Sequence, residues 1–117
     1  MQRKAPKLLE DIRDAADYIL SVASGETQEA LAANRMLRQA VERNFEIIGE
    51  AMKRLANLDP ATAQRIGDYP QIIAFRNLLI HGYEHIDLAM VWHVIHHSLP
   101  KLLREVEILL RESDPSP

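Results

Sequence analysis

The stretch LRQAVERNFEIIGEAMKRL, residues 37–55, decides the fold. Its apolar residues recur at every third or fourth position, which is the period of one face of an α-helix. The pattern extends over about residues 28–57, and a helix of that length spans on the order of 45 Å. One short partner helix does not cover such a length. The stretch therefore predicts the long spine helix of a bundle, with part of its surface available to a second subunit.

Other helical blocks lie on either side of this spine. Residues 6–25 and 70–82 each carry apolar residues at helical spacing and end at a glycine, and residues 60–67 form a short helical turn in the connection between blocks. A last block runs over residues 87–110, where Asp87 is the predicted N-cap and Pro100 predicts a kink or a break. The blocks predict an all-α, up-and-down bundle of four to five helices.

Composition bounds the class of protein. The chain has 117 residues, no cysteine, 14 basic and 17 acidic side chains, and a net charge of −3. This fits one domain over residues 1–112 with a frayed tail over residues 113–117. The lack of cysteine excludes a disulfide scaffold and thiolate metal sites and fits a cytoplasmic location. No uncharged run is long enough for a membrane span, and the acidic balance argues against binding nucleic acid through bulk charge.

The motif RNLLIHGY, residues 76–83, contains the side chains best suited to chemistry. A guanidinium such as that of Arg76 stabilises charge on a phosphate, and an imidazole such as that of His81 moves a proton near neutral pH. Five residues correspond to about 500° of helix rotation, so the two side chains are offset by roughly 140°. They converge only if the helix ends or bends at His81, which Gly82 permits.

The spacing alone leaves another interpretation open. In a chain with this many arginines and histidines, an Arg-x4-His match arises by chance about one time in three. Arg76 then makes an ion pair on the helix surface, and His81 caps a helix C-terminus. Gly49, inside the spine helix, predicts a close helix crossing. Its neighbour Glu50 is a candidate for orienting Arg76 across the bundle.

The block from Tyr69 to Leu110 resembles the HepT-like branch of the HEPN family in the order and spacing of its motifs, and so does FEIIGEA at residues 45–51. The motifs in the block are Pro70, Arg76-Asn77, His81-Gly82-Tyr83, Ile86-Asp87, Val91-Trp92 and Leu99-Pro100. The resemblance implies a HEPN-like fold and a metal-independent endoribonuclease that needs no cofactor. It implies that Arg76 and His81 are catalytic and that the site lies at the two-fold interface of a homodimer or of a higher even-numbered oligomer. Asn77 is expected to support the site through the backbone or His81.

The same resemblance implies a toxin–antitoxin setting with RNA as the substrate. A nucleotidyltransferase antitoxin would adenylylate Tyr83, and the added AMP would block RNA by its bulk and negative charge. Without the family, Tyr83 is an amphipathic residue at the rim of a site. A membrane partner is not expected.

Two rival functions remain open, and so does the role of a group of histidines. The chain could instead be a non-catalytic interaction or nucleotide-binding subunit of a nucleotidyltransferase, or a purely structural partner.

Histidines crowd one region, but the pair at i, i+4 lacks an interposed Glu and a third metal ligand. We therefore expect structural or surface roles for them, with a pH-dependent contribution to a positively charged groove as the alternative; these histidines are His85, His93, His96 and His97.

Overall fold

The computed structural model describes residues 1–81 and 87–114, and these residues form helices without any strand. The predicted all-α bundle is confirmed. Of the expected C-terminal tail, residues 115–117 lie outside the described residues. The helices are α1 (Ala5–Ala23), α2 (Gln28–Ala33), α3 (Arg35–Leu58), α4 (Pro60–Gln64), α5 (Tyr69–His81), α6 (Leu88–His93) and α7 (Leu99–Ser113), with a π-helical turn (Val94–Ser98) between the last two.

The core forms around α1, which packs extensively against α3 on one side and α7 on the other. Fully buried side chains from each of these helices fill the space between them, as the helical spacing of apolar residues predicts. Among the described residues, no helix is both long and apolar enough to cross a membrane. The principal core side chains are Leu9, Ile12, Ile19, Val41, Ile48, Met52, Leu55, Val106 and Leu109.

The spine helix is shorter than the sequence predicts. The prediction of one helix from residue 28 is wrong, because Asn34 has an extended backbone (φ −104°, ψ 102°) that separates α2 from α3. Asn34 Oδ1 accepts a hydrogen bond from the Leu37 N–H at 3.1 Å, which caps the start of α3. Arg38 Nη1 donates to the Ala32 carbonyl at 2.7 Å and so satisfies the end of α2. The remaining 24 residues still form the longest described helix.

The predicted disturbance at Pro100 is confirmed and takes the form of a π-helical turn. The Leu99 N–H bonds to the Val94 carbonyl, five residues back, because the proline ring cannot follow a regular helical turn without a clash. The turn divides the predicted last helix into α6 and α7. Asp87 caps α6 as predicted, since its Oδ1 accepts the N–H of Ala89 at 3.0 Å.

Helix α5, which carries the candidate motif, lies at the edge of the bundle. It packs mainly against α3, and the ring of Phe75 meets that of Phe45 edge-on with centroids 5.0 Å apart. Leu79 is the only residue of α5 that is fully buried. The opposite face is exposed and includes Leu78, whose surface is 45% accessible.

The connection before α5 is held on α7 by polar contacts. The Gly67 N–H donates to Glu105 Oε2 at 2.9 Å, and Lys101 Nζ donates to Asp68 Oδ2 at 3.1 Å. The connection that leads into α5 is therefore held on α7, while α5 itself packs against α3. Its end, at His81, is exposed.

Candidate functional site

Arg76 lies in the middle of α5 and points toward α3. Its Nη2 donates to Glu50 Oε2 at 3.0 Å, and its Nη1 donates to Asn77 Oδ1 at 3.2 Å. Only 23% of the Arg76 side chain is exposed. The predicted contact between Glu50 and Arg76 is therefore confirmed, and the guanidinium is held where α3 and α5 cross.

Gly49 permits that crossing. An alanine Cβ at this position would lie 2.5 Å from Cγ of Arg76 and would also overlap Cβ of Arg76. Carbon atoms in ordinary contact are about 3.5–4.0 Å apart, so any side chain here would push α5 away from α3. The predicted close crossing at Gly49 is confirmed, and the residue it accommodates is Arg76.

The Glu50 carboxylate binds a second cation that the sequence analysis did not single out. Arg54 Nε donates to Glu50 Oε1 at 3.2 Å, so each oxygen of the carboxylate accepts from a different arginine. The two residues are four apart on α3, and Glu before Arg at this spacing is the favourable order on a helix. That spacing is the signal in the sequence that could have identified Arg54.

Arg76 also contains an unusual polar atom. Its Nε is buried and has no hydrogen-bond partner within residues 1–81 and 87–114. Buried polar groups are satisfied in the great majority of cases, so each exception calls for an explanation. The Glu50 contact uses Nη2 alone and does not satisfy this nitrogen.

His81 is the last residue of α5 and is exposed. The helix is regular from Arg76 to His81, so the two side chains are offset by roughly 140°. Arg76 faces α3, whereas His81 faces away from the bundle. The described chain does not bring the two candidate catalytic side chains together on one face.

Asn77 is exposed, and within the described residues its side chain bonds to Arg76. It was expected to bond to the backbone or to His81, and its supporting role stays a prediction. Its carbonyl oxygen holds one side of the guanidinium. Tyr83, the predicted adenylylation site, lies outside the described residues.

An open groove of about 250 Å³ runs beside Arg76 between α1 and α3. Its lining contains three arginines and three carboxylates, so its formal charge is balanced. A phosphate that enters must compete with a carboxylate for an arginine. The lining residues are Leu8, Asp11, Arg43, Glu46, Ile47, Glu50, Ala51, Arg54 and Arg76.

The histidines around the π-helical turn form two ring contacts. His93 and His97 stack with centroids 4.2 Å apart, and Trp92 lies 4.4 Å from His96, whose Nδ1 is hydrogen-bonded to the Trp92 carbonyl at 2.9 Å. His85 lies outside the described residues. Within the described part of the chain, no three His, Asp or Glu side chains are grouped closely enough to hold a metal ion.

Comparison with known proteins gives a consistent family. A family model described as ribonuclease HepT-like matches residues 10–109, which include Glu50, Arg76 and His81. A "putative RNase" of Methanocaldococcus jannaschii is 31% identical over 110 residues, which cover 92% of this chain and 98% of that protein. A "probable ribonuclease HepT" of Thermococcus cleftensis is 30% identical over 113 residues, with 93% and 98% covered. No solved structure matches the chain at a significant level.

Proposed function

Because this chain belongs to the HepT-like ribonuclease family, we propose that it is a metal-independent endoribonuclease whose catalytic residues are Arg76 and His81. The observation that most supports this proposal is the held guanidinium. Arg76 is kept at a helix crossing by Glu50 at 3.0 Å and by a glycine that leaves room for its stem. An arginine in a chance surface ion pair does not need such a crossing.

The reaction follows from the two side chains. The RNA 2′-hydroxyl gives its proton to the His81 imidazole and attacks the adjacent phosphorus. The bond to the 5′-oxygen of the next nucleotide breaks, and that oxygen takes the proton back from the imidazolium through solvent, which leaves a 2′,3′-cyclic phosphate, a 5′-hydroxyl and a neutral His81. The Arg76 guanidinium stabilises the negative charge that develops on the phosphate oxygens.

The decisive assay is RNA cleavage by the purified protein. Arg76→Ala and His81→Ala are each expected to lower the rate by a factor of about 100 or more, as removal of a charge-stabilising or proton-transferring group does. Arg104→Ala and His97→Ala, at exposed positions on α7 and in the π-helical turn, serve as matched controls. Equal rates for all five proteins would show that this site does not carry the activity.

The site is completed by a second copy of the chain in this proposal. Arg76 and His81 face different directions, and α5 leaves its outer face uncovered, with Leu78 and His81 both exposed. The proposal requires a two-fold axis that places His81 of one protomer near Arg76 of the other, because one chain does not bring them onto one face. The locally gathered positive charge then binds RNA although each chain carries a net charge of −3.

Sedimentation tests the dimer. The wild-type chain is expected to be a dimer at micromolar concentration, and Leu78→Glu to be a monomer that does not cleave RNA, because it places a charge in the interface. Met36→Glu is the matched control, since Met36 is 82% exposed at the start of α3. A wild-type monomer with full activity would contradict the composite site.

We further propose that the ribonuclease is a toxin whose antitoxin is a nucleotidyltransferase that adenylylates Tyr83. The phenol stands two residues after His81 in the sequence, and AMP attached there would add bulk and negative charge near the RNA phosphate. Intact-mass measurement after coexpression with such an enzyme is expected to show added AMP. The addition should persist in Tyr18→Phe, which alters an exposed tyrosine on α1, and disappear in Tyr83→Phe.

A further inference from the structure

The contact between Glu50 and Arg76 joins two different helices. Glu50 stands on α3 and Arg76 on α5, whereas the other hydrogen bond of the guanidinium is to Asn77, the next residue on its own helix. Glu50 is therefore the polar group that fixes the guanidinium relative to the bundle. An arginine side chain without such a partner keeps many rotamers.

The Glu50 carboxylate is itself fixed. One oxygen accepts from Arg76 at 3.0 Å and the other from Arg54 at 3.2 Å. Arg54 is on the same helix, one turn further along, and its side chain is 70% exposed. Both oxygens of the carboxylate are therefore hydrogen-bonded, which gives it a defined orientation toward Arg76.

This arrangement leaves part of the guanidinium open. A guanidinium has five N–H donors, two on each terminal nitrogen and one on Nε. Glu50 takes one donor of Nη2 and Asn77 takes one of Nη1, so each terminal nitrogen keeps one donor for a phosphate. The contact with Glu50 uses Nη2 alone and leaves the buried Nε without a partner among the described residues. The pair therefore makes fewer hydrogen bonds than an arginine and a carboxylate can form.

We infer that Glu50 is a positioning residue for Arg76, which holds the guanidinium in the orientation that cleavage requires without touching the RNA itself. This inference rests on the proposed ribonuclease activity. A positioning role predicts a particular change in kcat and KM when Glu50 is replaced. Loss of the carboxylate frees Arg76 to move and removes a negative charge from the groove, so kcat falls while KM stays the same or falls.

The experiment compares three variants on RNA. Glu50→Ala removes both the charge and the acceptor and is expected to lower kcat by about 100-fold, the effect of a misplacement of about 1 Å. Glu50→Gln keeps one acceptor oxygen and is expected to lie between Glu50→Ala and the wild type. Glu42→Ala is the matched control, because Glu42 lies two turns earlier on α3 and is not part of the groove beside Arg76. It is expected to keep the wild-type kcat.

The outcomes separate the two proposals. If neither the wild type nor Glu42→Ala cleaves RNA, the ribonuclease proposal fails. If the wild type cleaves RNA and Glu50→Ala matches Glu42→Ala in kcat, the positioning role is wrong. A rise in KM with unchanged kcat would likewise overturn it, because Glu50 would then act in binding.

A second measurement does not depend on activity. Exchange of the Arg76 Nε–H with water, followed by nitrogen NMR, is expected to be at least about tenfold faster in Glu50→Gln than in Glu42→Ala, since release of the guanidinium exposes a buried nitrogen. Equal exchange rates in the two folded variants would contradict the inference.

Discussion

Gly49→Ala tests how closely α3 and α5 must approach. The added Cβ would lie 2.5 Å from Cγ of Arg76, and ordinary contact requires about 3.5–4.0 Å. The two helices must therefore separate locally by about 1 Å. This shift lengthens the contact of 3.0 Å between Arg76 and Glu50 beyond the range of a good hydrogen bond.

The expected loss of stability is moderate, because the new Cβ meets Cβ and Cγ of Arg76, which lie next to the backbone and cannot swing aside. Overpacking costs about 1–3 kcal/mol, while alanine in place of glycine within a helix regains up to about 1 kcal/mol. A net loss of about 0–3 kcal/mol leaves most of the protein folded if its free energy of unfolding lies in the usual range of about 5–15 kcal/mol. The activity should respond far more, with kcat about 100-fold lower, because the displaced group is the candidate charge stabiliser.

RNA cleavage and thermal unfolding, measured on the same samples, check this prediction. Gly67→Ala is the matched control, because a Cβ there would meet Lys101 Nζ at 3.6 Å and Glu105 Oε2 at 3.7 Å, which are ordinary contacts. We expect it to keep the wild-type kcat. A folded Gly49→Ala protein with wild-type kcat would refute the argument that the crossing sets the position of Arg76.

Two further predictions concern stability and pH. Asp59 accepts hydrogen bonds from the Gln2 N–H and from Thr62, which hold the pKa of its carboxyl below the usual 3.8. Asp59→Ala should therefore lose about 1–2 kcal/mol at pH 7, and urea unfolding should show the difference from the wild type shrinking below about pH 4, where Asp59 itself becomes protonated. Burial raises the pKa of Glu42 above its usual 4.5 although Arg38 opposes the shift, so the folded state disfavours its charge. Glu42→Gln is expected to be at least as stable as the wild type at pH 7 and to lose that advantage at pH 4; a clear destabilisation at pH 7 would contradict this reasoning.

The helical spacing of apolar residues and the helix-ending residue types predicted most of the fold, because most helix boundaries depend on local residues. Pro100 predicted the disturbed helix and Asp87 its cap, and both predictions are confirmed. Asn34 was missed, because an asparagine within a continuous apolar pattern is equally compatible with a helix interior. Only the cap that it forms on α3 and the bond from Arg38 to the end of α2 reveal the break.

Part of the site was also predicted from local residue types. Gly49 and Glu50 stood out because a glycine in a long helix has a cost that packing must offset, and their contact with Arg76 is confirmed. The partner of Asn77 could not be predicted, since adjacent residues on a helix do not normally face each other. The roles of Arg76 and His81 in catalysis stay predictions.

Because α5 lies at the edge of the bundle, its stability is expected to depend on what binds its outer face. With Leu79 as its only fully buried residue, α5 is expected to open at a lower free energy than the core helices. Whatever binds its outer face preferentially in the folded state adds stability that grows with the logarithm of its concentration. If a second copy is that ligand, the melting temperature rises with protein concentration, and dilution weakens the helix that carries Arg76 before it unfolds the core.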